Sequence, residues 1–96
     1  MKFSWDPKKE RLNRRKHGIA FSEACYVFSD RCLLTVFDEK HSDDEDRWIT
    51  MGQTPYGKIL IVVHTYKEVE GIEFVRIISA REATLSEMEV YFARRA

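Results

Sequence analysis

The sequence is short of cysteine, proline and glycine: two, two and four among 96 residues. Cys25 and Cys32 form no CxxC pair, which excludes zinc-ribbon and thioredoxin-type readings. Both stand in apolar surroundings, EACYVF and RCLLTVF, and read as reduced core thiols. No glycine-rich phosphate loop and no nucleophile elbow is present. Of the three histidines, His17, His41 and His64, no two have HxxxH spacing, so zincin-type chemistry is excluded. No apolar stretch approaches the ~20 residues of a membrane span. The longest pure run is Ile59 to Val63. The opening MKFSWDPKKE lacks the apolar core of a signal peptide, which sets the expectation of a cytoplasmic protein with no membrane partner. There is no repeat, linker or low-complexity segment, so residues 1–96 are expected to form one domain.

What is present is charge and a core. One-third of the residues are charged and 44% are hydrophobic, enough apolar side chains to bury. The 16 cations and 16 anions cancel, which argues against a uniformly basic nucleic-acid coat. The balance is uneven along the chain, however. Residues 1–20 carry seven Lys or Arg against two acids; residues 21–46 carry two against eight; residues 47–96 carry seven against six. A basic start is followed by an acidic middle.

Residues 2–5 suit a short strand with Phe3 and Trp5 on one face. Asp6 and Pro7 then make a helix start, as N-cap and first-turn residue, and Gly18 a stop. The only aliphatic residue between them is Leu12, so this helix should lie on the surface with a narrow contact stripe. A second helix is expected from Ser22, with Ala24, Val27 and Phe28 on one side and an exit at Asp30. Four strands follow, over residues 32–37, 47–52, 58–66 and 74–81. The third is apolar enough to be a central strand buried on both faces. Thr54-Pro55-Tyr56-Gly57 fits a type I turn and Gly71 marks a second hairpin, so these neighbours should be antiparallel. Thr84-Leu85-Ser86-Glu87 is a capping box that opens a last helix, with Leu85, Met88 and Phe92 as its core stripe. The expected fold is α+β: an antiparallel meander of about four strands plus the short N-terminal strand, two N-terminal helices and one C-terminal helix.

Four groups of residues have chemical potential. The first is the basic helix, with Lys8, Lys9, Arg11, Arg14, Arg15 and Lys16, followed by His17. Six cations within nine residues repel one another, and a polyanion or an acidic partner relieves that repulsion. The plain alternative is a solvated helix face. The second is Arg76, in mid-strand between Val75 and Ile77. An arginine there needs an acid, for which Glu45 and Glu87 are candidates, or a ligand phosphate. Ideal alternation puts Arg76, Ile78 and Ala80 on one face, and Val75, Ile77, Ser79 and Arg81 on the other. The third is the acidic loop from Asp38 to Asp46, whose spacing matches no calcium loop and which suits a mobile loop or a patch for a basic partner. The fourth is the histidines. His17 suits acid–base chemistry near neutral pH, whereas His64, late in an apolar strand, suits a satisfied interior position. Tyr91 suits either base stacking or the core.

These residues line up with a known family. Phe3, Trp5, Asp6, Lys9, Asn13, Lys16, His17, Gly18 and Phe21 resemble the opening of BrnT-type toxins. AxxVFSD from Ala24, DxxHSxxExR from Asp38 to Arg47, and RxISARxATxxExxxY from Arg76 to Tyr91 are similar to the rest of that family's pattern. The resemblance spans nearly the whole chain. It implies a type II toxin–antitoxin ribonuclease of RelE-like fold that arrests translation, is neutralised by a BrnA-like antitoxin and meets operator DNA only through that antitoxin.

RNA hydrolysis without a metal or other cofactor needs a base for the 2′-hydroxyl, an acid for the leaving oxygen and cations around the phosphorane. Lys16, Arg76 and Arg81 are the candidate cations and His17 the candidate acid–base group, with Tyr91 as a further catalytic candidate. Lys9, Arg14, Arg47 and Ser79 are candidate RNA contacts. Arg76 and Arg81 point to opposite faces of an ideal strand, so both enter one site only if the strand departs from ideality. The alternative is a non-catalytic domain that binds RNA or a partner.

Overall fold

The computed structural model describes residues 1–95. A short strand, β1 (Lys2–Ser4), leads into α1 (Pro7–His17), which starts and stops as its sequence dictates. The Asp6 carboxylate accepts the Lys8 N–H at 2.8 Å, Pro7 opens the first turn, and Gly18 closes the helix in the left-handed region at φ 74°. Leu12 is not the contact: it is exposed. α1 is held by Asn13, whose side-chain amide donates to the Ala80 carbonyl at 2.8 Å and accepts the Ala80 N–H at 3.2 Å.

The second helix is split. α2 (Phe21–Ala24) is a single turn that tightens into a 3-10 turn over Cys25–Ser29. Its N-cap is Ala20, with Ser22 inside the helix. A side-chain cap is replaced from a distance, because the Glu10 carboxylate on α1 accepts the Phe21 N–H at 3.3 Å.

The strands are β2 (Leu34–Phe37), β3 (Trp48–Gln53), β4 (Ile59–His64), β5 (Lys67–Val69) and β6 (Ile72–Glu82). They form a mixed six-stranded sheet in the order β1-β6-β4-β3-β2, with β5 also paired to β6. β4 is central and almost wholly buried, as its apolar run requires. Two differences from the expected meander stand out. β1 joins β6 in parallel, through Lys2 to Phe74 and Ser4 to Arg76. β4 also ends early, and β5 resumes the pairing after Thr65 and Tyr66. The β5–β6 turn has positive φ at both Glu70 (51°) and Gly71 (79°), the requirement of a tight two-residue hairpin turn.

Each face of the sheet carries its own core. On one, Ile19, Phe21, Ala24 and Val27 cover Leu60, Val62, Val75, Ile77 and Ala80. Gly52 is required beneath that layer: an added Cβ would lie 2.9 Å from both Cβ and the carbonyl oxygen of Val27. On the other face, α3 (Leu85–Arg95) places Tyr91 over Met51, Ile59 and Ile61, with Met88 beside it. The expected stripe of Leu85, Met88 and Phe92 is thus corrected. Leu85 is 78% exposed and Phe92 49%, and the helix is rotated to bury Tyr91. The cause lies far away in sequence, because the Tyr91 hydroxyl donates to the Asp30 carboxylate. Asp30 also accepts the N–H groups of Cys32 at 2.9 Å and Gln53 at 2.7 Å.

Candidate active site

Strand β6 positions the two arginines, and one irregularity decides where they point. Val63 pairs with Ser79 and His64 with Ile77, so β6 has one more residue than β4 across this step. Such a bulge flips the alternation. Val75, Ile77 and Ala80 all enter the same buried core, which strict alternation forbids. Ser79 and Arg81 consequently fall on the same face as Arg76. The expected opposition of Arg76 to Ser79 and Arg81 is corrected, and the extra residue is the physical reason.

Sharing a face does not give the arginines the same role. Arg81 donates two parallel hydrogen bonds to Glu87, at 2.8 and 2.9 Å. Glu87 also accepts the Thr84 N–H at 2.8 Å, while its own N–H bonds Thr84 Oγ1 at 3.2 Å. The capping box is therefore built around the arginine. The Arg81 guanidinium holds the Glu87 carboxyl at about 2, against the opposing effect of burial. Arg81 is fully engaged in starting α3.

Arg76 has a looser arrangement. Of its two candidate acids it takes Glu45, from the acidic loop, through one guanidinium nitrogen. Both side chains remain 42% exposed. The pair forms part of the wall of a cleft of 510 Å³, which Ser4, Asp46, Thr65 and Lys67 also line. An anion that displaces Glu45 meets the guanidinium directly.

The acidic loop is built rather than loose. Ser42 Oγ donates to the Asp38 carbonyl at 2.5 Å and accepts the Arg47 N–H at 3.0 Å, and the Asp38 N–H bonds the Arg47 carbonyl at 2.8 Å. Between these ties Glu39–His41 forms a 3-10 turn. In such a turn side chains three apart eclipse, which stacks His41 over Asp38. His41 Nδ1 then lies 3.1 and 3.3 Å from the two carboxylate oxygens. Arg47 closes the loop, and its Nε is buried without a hydrogen-bond partner among the described residues.

The remaining candidates are dispersed. Lys9, Arg14, Lys16 and His17 are on α1, which docks at Ala80, four residues along β6 from Arg76. Lys16 and His17 are exposed, and Arg14 lies 3.7 Å from Glu10 on its own helix. Tyr91 is a core residue, fully buried on Asp30. Burial first, and then the bond to Asp30, push its phenol up to about 12. His64 is interior as expected: Nδ1 donates to the Thr65 carbonyl at 3.0 Å and Nε2 accepts from Thr50 Oγ1 at 2.7 Å. Burial holds its imidazole below the ordinary range. Sequence reasoning passed over the Asp38–His41 pair. The available signal was their spacing of three, which matters only once a 3-10 turn is known.

A family model described as the ribonuclease toxin BrnT of type II toxin–antitoxin systems matches residues 5–87. The chain belongs to the BrnT ribonuclease-toxin family. Among solved structures it is similar to the 1.1 Å crystal structure of the Brucella abortus ribonuclease toxin BrnT. The two are 27% identical, with a TM-score of 0.58, over 88% of this chain and 97% of the Brucella chain. No curated protein sequence gives a significant match. Arg76, Ser79, Arg81 and the acidic loop all lie within the segment matched by the BrnT family model. Membership in a type II toxin family implies an RNA target and an antitoxin partner. Among the described residues, no helix is long and apolar enough to cross a membrane.

Proposed function

We propose that residues 1–96 act as one BrnT-like toxin domain of RelE-like fold. It cleaves RNA in the cytoplasm without a metal or other cofactor, arrests translation, and is neutralised by a BrnA-like antitoxin. The antitoxin is in turn the only bridge to operator DNA. The observation that carries the chemical reading is the open end of β6. Arg76 there faces a cleft with one exchangeable carboxylate, and the bulge places Ser79 on its face.

In this reading Arg76 holds the scissile phosphate and stabilises the charge that builds on it in the transition state. Ser79 donates a hydrogen bond to the same group, and Arg47 is a second cation. Lys9, Arg14, Lys16 and His17 bind phosphates further along the strand from the exposed side of α1. Arg81 and Tyr91 act indirectly, by fixing α3 to the sheet. The antitoxin presents acidic groups to the same cations, which explains how a chain of zero net charge serves a polyanion and an acidic partner by turns.

The test incubates purified protein with total RNA at low salt in EDTA, beside Arg76→Ala. Fragmentation by the wild type and its loss in the variant are expected, with growth arrest on expression of the wild type alone. Intact RNA throughout, with salt-dependent binding, would instead establish the non-catalytic RNA-binding reading.

A further inference from the structure

We propose that His41, oriented by Asp38, is the general base of the cleavage reaction. The inference rests on the ribonuclease reading above and assigns its missing proton acceptor. His17, the sequence candidate, stands on a helix docked beside Ala80, whereas His41 stands on the loop whose Glu45 reaches Arg76.

Three observations lead to His41. The first is its orientation. Asp38 is only 10% exposed in its side chain, and both its oxygens lie within hydrogen-bond reach of Nδ1. A buried carboxylate that takes the Nδ1 proton fixes the tautomer, leaving Nε2 as the basic atom. The second is accessibility. The imidazole is 66% exposed, and Nε2 has no hydrogen-bond partner among the described residues. The third is location. His41 lines a cleft of 210 Å³ with Lys40, Asp43, Asp44, Glu45 and Arg47. Glu45 also lines the larger cleft of Arg76, so the cleft of the base and the cleft of the phosphate-binding cation share one side chain.

The step follows from those positions. Nε2 takes the proton of the ribose 2′-hydroxyl, and the 2′-oxygen attacks phosphorus. The bond between O2′ and phosphorus forms while the bond from phosphorus to O5′ breaks. The 5′-oxygen leaves with a proton from water, and the imidazolium returns its own proton to solvent. The products are a 2′,3′-cyclic phosphate and a 5′-hydroxyl end, with no oxidant or reductant involved. The charged groups that face His41 are Asp38, Lys40, Asp43, Asp44, Glu45 and Arg47. Of these, Asp38 is the one bonded to the ring. It is a positioning residue.

The test measures RNA cleavage across pH in EDTA for the wild type, His41→Gln, Asp38→Asn and His17→Gln. Thermal melts confirm folding, and RNA affinity is measured in parallel. His41 is exposed, so its variant should fold as the wild type does. His41→Gln is expected to cut at least about 100-fold more slowly, with affinity within about threefold. Asp38→Asn should lower kcat while leaving KM unchanged, because the imidazole has lost the carboxylate that orients its ring. Product ends should be cyclic phosphate and 5′-hydroxyl. A wild-type rate and profile in His41→Gln overturns the assignment, as does loss of the rising limb in His17→Gln with His41→Gln unaffected. Intact RNA with the wild type would overturn the ribonuclease reading and this assignment together.

Discussion

Arg76 and Arg81 lie on one strand, share one face, and are held in opposite ways. Arg81 meets Glu87 through two parallel bonds, and Glu87 is itself tied to the backbone of a helix start. Arg76 meets Glu45 through one nitrogen, on a loop, with both groups exposed to water. The first geometry uses up the fork of the guanidinium; the second leaves most of its donors open. An arginine's engagement, rather than its position or its face, separates a fixing role from a binding one. β6 therefore has a fixed end, where α3 is anchored, and an open end, where a phosphate can exchange with a carboxylate.

The strongest way to break this contrast is to remove the open arginine. Arg76→Ala should lower the RNA cleavage rate by about 100-fold or more, as loss of a transition-state cation does. Its stability should stay within about 0.5 kcal/mol of the wild type, because exposed ion pairs contribute little. A large fall in melting temperature with normal cleavage per folded molecule would reverse the roles assigned to the two ends. At the fixed end, Tyr91→Phe removes the hydroxyl that meets Asp30. The expected loss is about 1–2 kcal/mol, read by urea unfolding. Asp30 retains its two backbone donors, so the loss should not reach that of a bare buried charge. Unchanged stability would show that rotation of α3 does not depend on this bond.

What could be read in the sequence, and what could not, follows from range. α1 was legible because its signals are local: Asp6, Pro7 and Gly18 act within a turn of their own positions. So was the capping box at Thr84 and Glu87. The rotation of α3 was not legible, since Leu85, Val90 and Phe92 offer as much apolar surface as Met88 and Tyr91. The decision is made by Asp30, 61 residues away from Tyr91. The parallel docking of β1 is a pairing of similar range. The bulge carries no glycine or proline, and Val-Arg-Ile-Ile-Ser-Ala-Arg reads as an unbroken strand. It emerges only from the register against β4. The site is accordingly half legible: Arg76 and an acidic partner such as Glu45 can be read from the sequence, but the face Arg76 shares and the Asp38–His41 pair need the fold.

The fixed end has a pH signature. The Glu87 carboxyl sits at about 2 in the folded chain, held there first by Arg81. A carboxyl depressed on folding stabilises the protein above its unfolded value, and that stabilisation is lost as pH falls through the folded one. The window is therefore from about pH 4.5 down to about 2, and the pair is about one-third exposed. After screening by solvent, roughly 1 kcal/mol remains to be lost there. Glu87→Gln should remove that much stability at neutral pH and flatten the acid limb of a melting-temperature profile. An acid limb as steep as that of the wild type would show that Arg81 does not depend on this partner.

The smallest expected effect bears on the open end most directly. Glu45→Gln keeps the size of the side chain and removes the charge that competes with phosphate for Arg76. Stability should change by less than about 0.5 kcal/mol, since the pair is exposed. Affinity for a short RNA strand, however, should rise roughly threefold at low salt, because displacing an amide costs less than displacing a carboxylate. The gain should shrink as salt is raised, since screening already weakens the competing pair. Combining Glu45→Gln with Arg76→Ala should abolish the gain, as removing the carboxylate can help only if the arginine is there to be freed. Equal gains with and without Arg76 would mean that Glu45 repels RNA through the general field of the acidic loop, and the open end would lose its claim to a specific phosphate site.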